Sequence, residues 1–202
     1  MEDFVLPNRD KIAIALRQLT AKRVRQWEGA GLPQASASTS SLDAWTRSAL
    51  EIPQASSIVE VDLSRVMVYQ EAHKEAFRSR GAALTVTSFM LQAVADALVA
   101  IPEVNSAFQG DCIRRFGSVD ILLEVADGDV LKRGIIAQAE TRNLRGLAQA
   151  VGAVLEEAPA STPPEGGTFT LTDLGSEAAL LAVPPVLPAQ AAALRVGAVS
   201  ER

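Results

Sequence analysis

Hydrophobic positions along this chain switch between a helical and an alternating period, and the switches mark its elements. Ile12, Leu16, Leu19, Arg23 and Trp27 recur at helical spacing, so a first helix is predicted from Arg9 to Trp27, ended by Gly29 and Gly31. From Leu32 to Ser48 no period survives. Pro33 and the run Ala35 to Ser41 have linker composition there. Ser56 to Asp62 alternates, which predicts a strand, and Ser64 is placed to cap a helix from Arg65 to Arg80 that Gly81 stops. A broad apolar face of Phe89, Leu91, Val94, Ala95, Leu98 and Val99 predicts a helix over Thr87–Ile101, closed by Pro102.

The period then returns to two. Ser106–Phe108 with Ile113–Phe116, then Val119–Val125 and Val130–Ile136, are predicted strands, and Gly110-Asp111 and Asp127-Gly128 are hairpin signals between them. Leu144, Leu147, Ala148, Val151 and Leu155 predict a helix over Asn143–Glu157. Pro159, Pro163 and Pro164 form a rigid connection to two last strands, Thr168–Leu171 and Leu194–Val199. Helices interleaved with hairpin-joined strands give an α+β class, a sandwich around a mixed sheet.

Composition narrows the function classes. The 202 residues suffice for one well-buried domain, and 48 % hydrophobic with 21 % charged residues is globular rather than disordered. A net charge of −5 argues against a dedicated nucleic-acid binder, so Lys22, Arg23 and Arg25 read as the solvated face of a helix. No apolar run reaches the roughly 20 residues of a membrane helix, and the acidic Met1-Glu2-Asp3 is unlike a secretory signal. A single cysteine, Cys112, fits a reducing compartment and reads as a strand packing residue. The expected location is the cytoplasm.

The chain has one histidine, His73, and it falls on a predicted helix surface. A Ser-His-Asp triad, a histidine-rich zinc site and a Cys-His pair each need an imidazole placed by its neighbours. No metal site is expected, and chemistry here is absent, histidine-free or completed by another polypeptide.

Four stretches in order resemble the catalytic domain of dihydrolipoamide acyltransferases, the core subunits of 2-oxoacid dehydrogenase complexes. They are Leu16 to Val24; Ile52-Pro53-Gln54-Ala55 leading into Val59 to Ser64; Pro102 to Phe108 continued by Gly110-Asp111 and Gly117 to Ile121; and Gly166 to Gly175 followed by Pro188 to Gly197. The resemblance implies a chloramphenicol acetyltransferase-like two-layer sandwich with a mixed sheet. It implies acyl transfer, in which a histidine base activates an acceptor thiol or hydroxyl to attack a thioester, and a serine or threonine hydroxyl steadies the oxyanion. That hydroxyl matches Thr172, a β-branched residue whose rotamer is limited. The plainer reading of Thr172 is that it satisfies a turn. Coenzyme A would be a substrate rather than a bound cofactor, and the implied assembly is a trimer with its active site between subunits.

Departures from the pattern shape the expectation. The family's histidine lies in an Asp-His-Arg-x-x-Asp-Gly motif beyond the segment matching Val196 to Val199, and the sequence runs only to Arg202. The chain therefore reads as truncated at its C-terminus, with a histidine-bearing partner completing the site. General acid–base catalysis is worth roughly 10²–10⁴-fold and one oxyanion donor about 10²–10³-fold, so Thr172 alone forfeits the larger share. Lys132 and Arg133 stand where the family has apolar residues; solvent is the favoured reading for both, an anionic donor the other. The division expected is an N-terminal helical arm over 1–31, an Ala/Ser-rich linker over 32–51 and the acyltransferase-like domain over 52–202.

With no lipoyl domain ahead of the match, the expected acceptor is a diffusible small molecule, as in tetronate-type polyketide O-acetylation. The rival expectation is a catalytically inactive structural or regulatory subunit that assembles with an active homologue. A third is that the sequence is a fragment of a longer enzyme.

Overall fold

The computed structural model describes residues 53–109, 112–127, 130–156, 166–175, 182–183 and 185–200. The predicted first helix, its basic face, the linker and both domain boundaries lie outside the described residues, as does the proline-bearing connection.

Helix α1 spans Ser64–Arg78. Ser64 is its first residue rather than its cap; the N-cap is Leu63, which offers no side-chain cap, and Asp62 just ahead of it bonds Ser64. The Asp62 Oδ1 accepts from the Ser64 backbone N–H at 2.8 Å and from the Ser64 hydroxyl at 2.6 Å. The hydroxyl bond first, and the backbone bond second, hold the Asp62 carboxyl below its ordinary pKa. The segment ahead of α1, predicted as a strand, has no regular secondary structure, and Ile58, Val59 and Val61 are exposed. Alternation alone does not make a strand without a neighbour to pair with.

Helix α2 spans Val86–Ala100, and Thr85 with Ser88 builds a capping box at its start. Helix α3 spans Leu144–Glu156, begun by Asn143, whose Oδ1 accepts from the Gly146 N–H at 2.9 Å. Strands β1 (Ser106–Gln109) and β2 (Cys112–Arg115) form an antiparallel hairpin. Four further strands, β3 (Ile121–Asp127), β4 (Val130–Ile136), β5 (Phe169–Asp173) and β6 (Ala193–Val196), make a sheet ordered β4-β3-β5-β6. β3 pairs antiparallel with β4 and parallel with β5, and β5 pairs parallel with β6, so the sheet is mixed as expected.

Strand β3 has no solvent face over its first six residues. One side of it, Ile121, Leu123 and Val125, joins Phe169 and Leu171 of β5 and the apolar stripes of α2 and α3 in a single core. Leu122 and Glu124 point to the other side with Thr170 and Thr172, and all four are buried. Gly167 lets the chain enter β5. Its φ is +87°, and a Cβ there would meet the Leu122 backbone nitrogen at 3.2 Å, closer than ordinary contact. Next to it the Thr168 N–H donates to the Asp120 carbonyl, 2.6 Å away, which sets the start of the β3–β5 pairing.

Strand β4 meets α3 just as closely. A Cβ on Gly134 would stand 2.6 Å from Val154 Cγ2. Gly134→Ala is expected to destabilise the fold by about 1–3 kcal/mol through overpacking, and adding Val154→Ala to recover part of that loss. Urea unfolding of the two variants checks this. Equal losses in the single and double variants would show that the contact is not the cause.

Candidate functional site

The register of the mixed sheet places four polar side chains side by side on the face away from the helices. Arg133 on β4 stands opposite Glu124 on β3, Glu124 opposite Thr172 on β5, and Thr172 opposite Arg195 on β6. Neighbouring strands lie about 4.8 Å apart, so each side chain reaches the next. Arg133 Nε donates to Glu124 Oε1 at 2.8 Å, and the Thr172 hydroxyl donates to Glu124 Oε2 at 2.8 Å. Both carboxylate oxygens are thereby engaged.

Glu124 and Thr172 are each 1 % exposed, and the Arg133 side chain 18 %. A carboxylate this deep is tolerable only when paired and hydrogen-bonded. Arg195 differs from the other three: it is half-buried, and its buried Nε has no hydrogen-bond partner among the described residues. Below the row, on the same face, the Thr170 hydroxyl donates to Gln190 Oε1 at 2.7 Å, and Gln190 Nε2 donates to the Gly167 carbonyl at 3.1 Å.

Thr172 therefore occupies a strand rather than a turn. The turn after β5 is satisfied by Asp173, whose Oδ1 accepts from the Gly175 N–H at 2.9 Å and whose Oδ2 accepts from the Thr87 hydroxyl at 2.6 Å. A hydroxyl has one proton, and in Thr172 that proton is given to Glu124, not held toward a substrate.

Three sequence expectations meet a clear outcome. Arg133 lies on β4, an edge strand of the described sheet, but its side chain is not solvated, because the hairpin register turns it onto Glu124. Cys112 is exposed on β2 rather than packed, its Sγ 3.5 Å from the Gln109 carbonyl. β2 has no buried residue at all. His73 lies on α1 as expected; its ring stacks on Tyr69 at 4.0 Å between centroids, and Nδ1 lies 2.9 Å from the Tyr69 carbonyl. Among the described residues, no three His, Cys, Asp or Glu side chains gather as metal ligands, and no helix is long and apolar enough to cross a membrane.

Glu124 and Arg195 were not singled out from the sequence. The signal for Glu124 was an acid inside Ile121-Leu122-Leu123-Glu124-Val125-Ala126, since a charge within a doubly buried strand needs a partner. A two-residue loop between Asp127 and Val130 then fixes that partner as Arg133.

Glu124→Ala leaves Arg133 and Thr172 without their shared acceptor. It is expected to cost about 3 kcal/mol, the low end for breaking a buried pair, because Arg133 keeps some access to water. Glu124→Leu combined with Arg133→Met is expected to be close to neutral. Thermal unfolding of both decides: a neutral Glu124→Ala would mean the pair contributes nothing to the fold.

Comparison with known proteins agrees with this architecture. A family model described as 2-oxoacid dehydrogenases acyltransferase (catalytic domain) matches residues 34–202. The lipoamide acyltransferase component of the branched-chain alpha-keto acid dehydrogenase complex of Bacillus subtilis is 30 % identical over 161 residues, 77 % of this chain and 38 % of that protein. The dihydrolipoyllysine-residue acetyltransferase component of the pyruvate dehydrogenase complex of Mycobacterium bovis is 34 % identical over 150 residues, 71 % of this chain and 27 % of that protein. The chain thus spans well under half the length of these relatives. Among solved structures, the probable dihydrolipoamide acetyltransferase of Listeria monocytogenes superposes with a TM-score of 0.75 at 30 % identity, covering 86 % of this chain and 76 % of the other. The Azotobacter vinelandii dihydrolipoamide acetyltransferase has a TM-score of 0.77 at 24 % identity, covering 86 % and 74 %, and shares the fold. Through these matches the chain belongs to the 2-oxoacid dehydrogenase acyltransferase family, in its catalytic domain.

Proposed function

We propose that this chain is an acyltransferase subunit that moves a short acyl group, acetyl in the simplest case, from a thioester donor to a hydroxyl or thiol acceptor. The observation that carries the reading is Thr172, held on a parallel strand within the family-matched region, with its oxygen fixed by Glu124. Turned from Glu124 to a reacting carbonyl, that hydroxyl would act as an oxyanion donor. The base comes from a second, homologous polypeptide bearing a histidine. The one imidazole of residues 1–202 is held against Tyr69 on α1, away from the Thr172 strand in the sequence match. Acyl-coenzyme A serves as donor and a hydroxylated small molecule of the tetronate polyketide kind as acceptor. The relatives named above are components of multienzyme complexes, which supports assembly with other chains.

A second reading has its own observation. Because Thr172 is buried and its proton is committed to Glu124, the same chain would serve as a catalytically inactive subunit that assembles with an active homologue.

The experiment is isolation of the native complex followed by transfer assays from acetyl-coenzyme A to dihydrolipoamide and to a hydroxylated tetronate. Under the first reading a histidine-bearing polypeptide co-purifies, and Thr172→Ala lowers kcat by about 10²–10³-fold while Thr172→Ser keeps most of it. Assembly with no transfer, or transfer indifferent to Thr172→Ala, would leave the inactive subunit as the answer.

A further inference from the structure

Away from the polar row, a cavity of 220 Å³ opens between strand β4 and helix α3. Three consecutive residues of β4 line it: Gly134, Ile135 and Ile136. Successive strand side chains point to opposite faces, so a cavity touching all three lies along the edge of the strand. β4 is an edge strand of the described sheet and pairs with β3 alone, so that edge is the one away from β3. Alternate residues of an antiparallel edge strand turn their N–H and C=O outward, and these groups border the cavity.

The opposite wall is α3, through Ala150, Ala153 and Val154. Two short side chains on the helix leave the space open. A water takes about 30 Å³ of liquid, and pockets for drug-sized ligands run to roughly 300–1,000 Å³. The space suits one or two apolar side chains, not a coenzyme. Its charged member is Arg142, whose Nε donates to the Ala137 carbonyl at 3.0 Å, just past the end of β4. That bond holds the guanidinium at the cavity. Arg142 is exposed, and no carboxylate among the described residues pairs with it. Glu140, two residues ahead, accepts from the Val119 N–H at 3.0 Å through Oε2, and the first turn of α3 holds no acid.

We propose that this groove binds an extended peptide segment of another polypeptide, which adds a strand to the open edge of β4 and sets a carboxylate on Arg142. Main-chain bonds to the edge supply affinity, while the cavity and the guanidinium select an apolar side chain and an acid. A small carboxylate alone uses Arg142 and leaves the apolar wall and the strand edge unfilled. The groove lies beyond β4, on the far side from β3 and Glu124, and uses no residue of the Thr172 row. It therefore stands apart from the acyl-transfer reading.

The test titrates the full chain against a fluorescein-labelled peptide of alternating valine and threonine ending in glutamate, with fluorescence anisotropy as the readout. Its counterpart, with glutamine and an amidated C-terminus, is expected to bind about tenfold more weakly, and Arg142→Gln to weaken the acidic peptide by about as much. Ala153→Leu, on an exposed helix position where leucine is a good helix former, fills the groove and is expected to abolish binding. In ¹⁵N-labelled chain the peptide is expected to shift the amide signals of Gly134, Ile135 and Ile136. No binding up to roughly 1 mM peptide overturns the proposal. So does binding that neither Arg142→Gln nor Ala153→Leu weakens, or that leaves the β4 amides unmoved. Acetate matching the peptide in affinity would make this a site for small anions, and self-association lost in Ala153→Leu would make it a contact between copies; either result overturns the peptide as occupant.

Discussion

A carboxylate in the middle of a sheet keeps its charge only if donors reach it within the sheet, and the candidate site is organised around that requirement at Glu124. Strand β3 is buried on both faces, so neither water nor a flexible surface side chain can serve. The partners have to come from the flanking strands at the same level, and they do: Arg133 from β4 and Thr172 from β5. Moving either strand by one residue would turn its side chain to the opposite face and orphan the charge. The polar row therefore depends on register, and in return penalises any other register.

Two local features set that register. On one side, the short loop between Asp127 and Val130 fixes the β3–β4 hairpin, and Gly134 lets β4 approach α3 where a side chain would collide with Val154. On the other, β3 and β5 run parallel and are joined through β4 and α3, so no hairpin aligns them. Alignment there falls to the Asp120 carbonyl and the Thr168 N–H, with Gly167 allowing the chain to pass close to Leu122. The residues that look least functional in this region, Gly134, Val154, Gly167 and Leu122, help determine where Thr172 and Glu124 meet.

The helices and the hairpins were legible in the sequence because each is a local object. Thr85 and Ser88 close a capping box within four residues, and the two-residue connection of β3 to β4 needs only its own turn. Thr172 was picked out through the resemblance of its segment to a family motif, but its partner was not, since the β3–β5 pairing spans 48 positions of chain. The segment from Ser56 to Asp62 failed for the opposite reason. Its alternation was local and real, yet a strand exists only by pairing, and no described strand lies beside it. Arg133 does lie on the edge strand β4, and what was misread is its side chain as solvated, because which face of an edge strand is covered shows only once the facing residue is known.

The polar row ends differently on its two sides. One arginine for one carboxylate completes an ion pair, and an apolar residue at position 195 would pack at lower cost than a guanidinium whose buried Nε has no partner among the described residues. The row closes at Glu124, which holds Arg133 and Thr172, whereas the Arg195 Nε has no hydrogen-bond partner among the described residues.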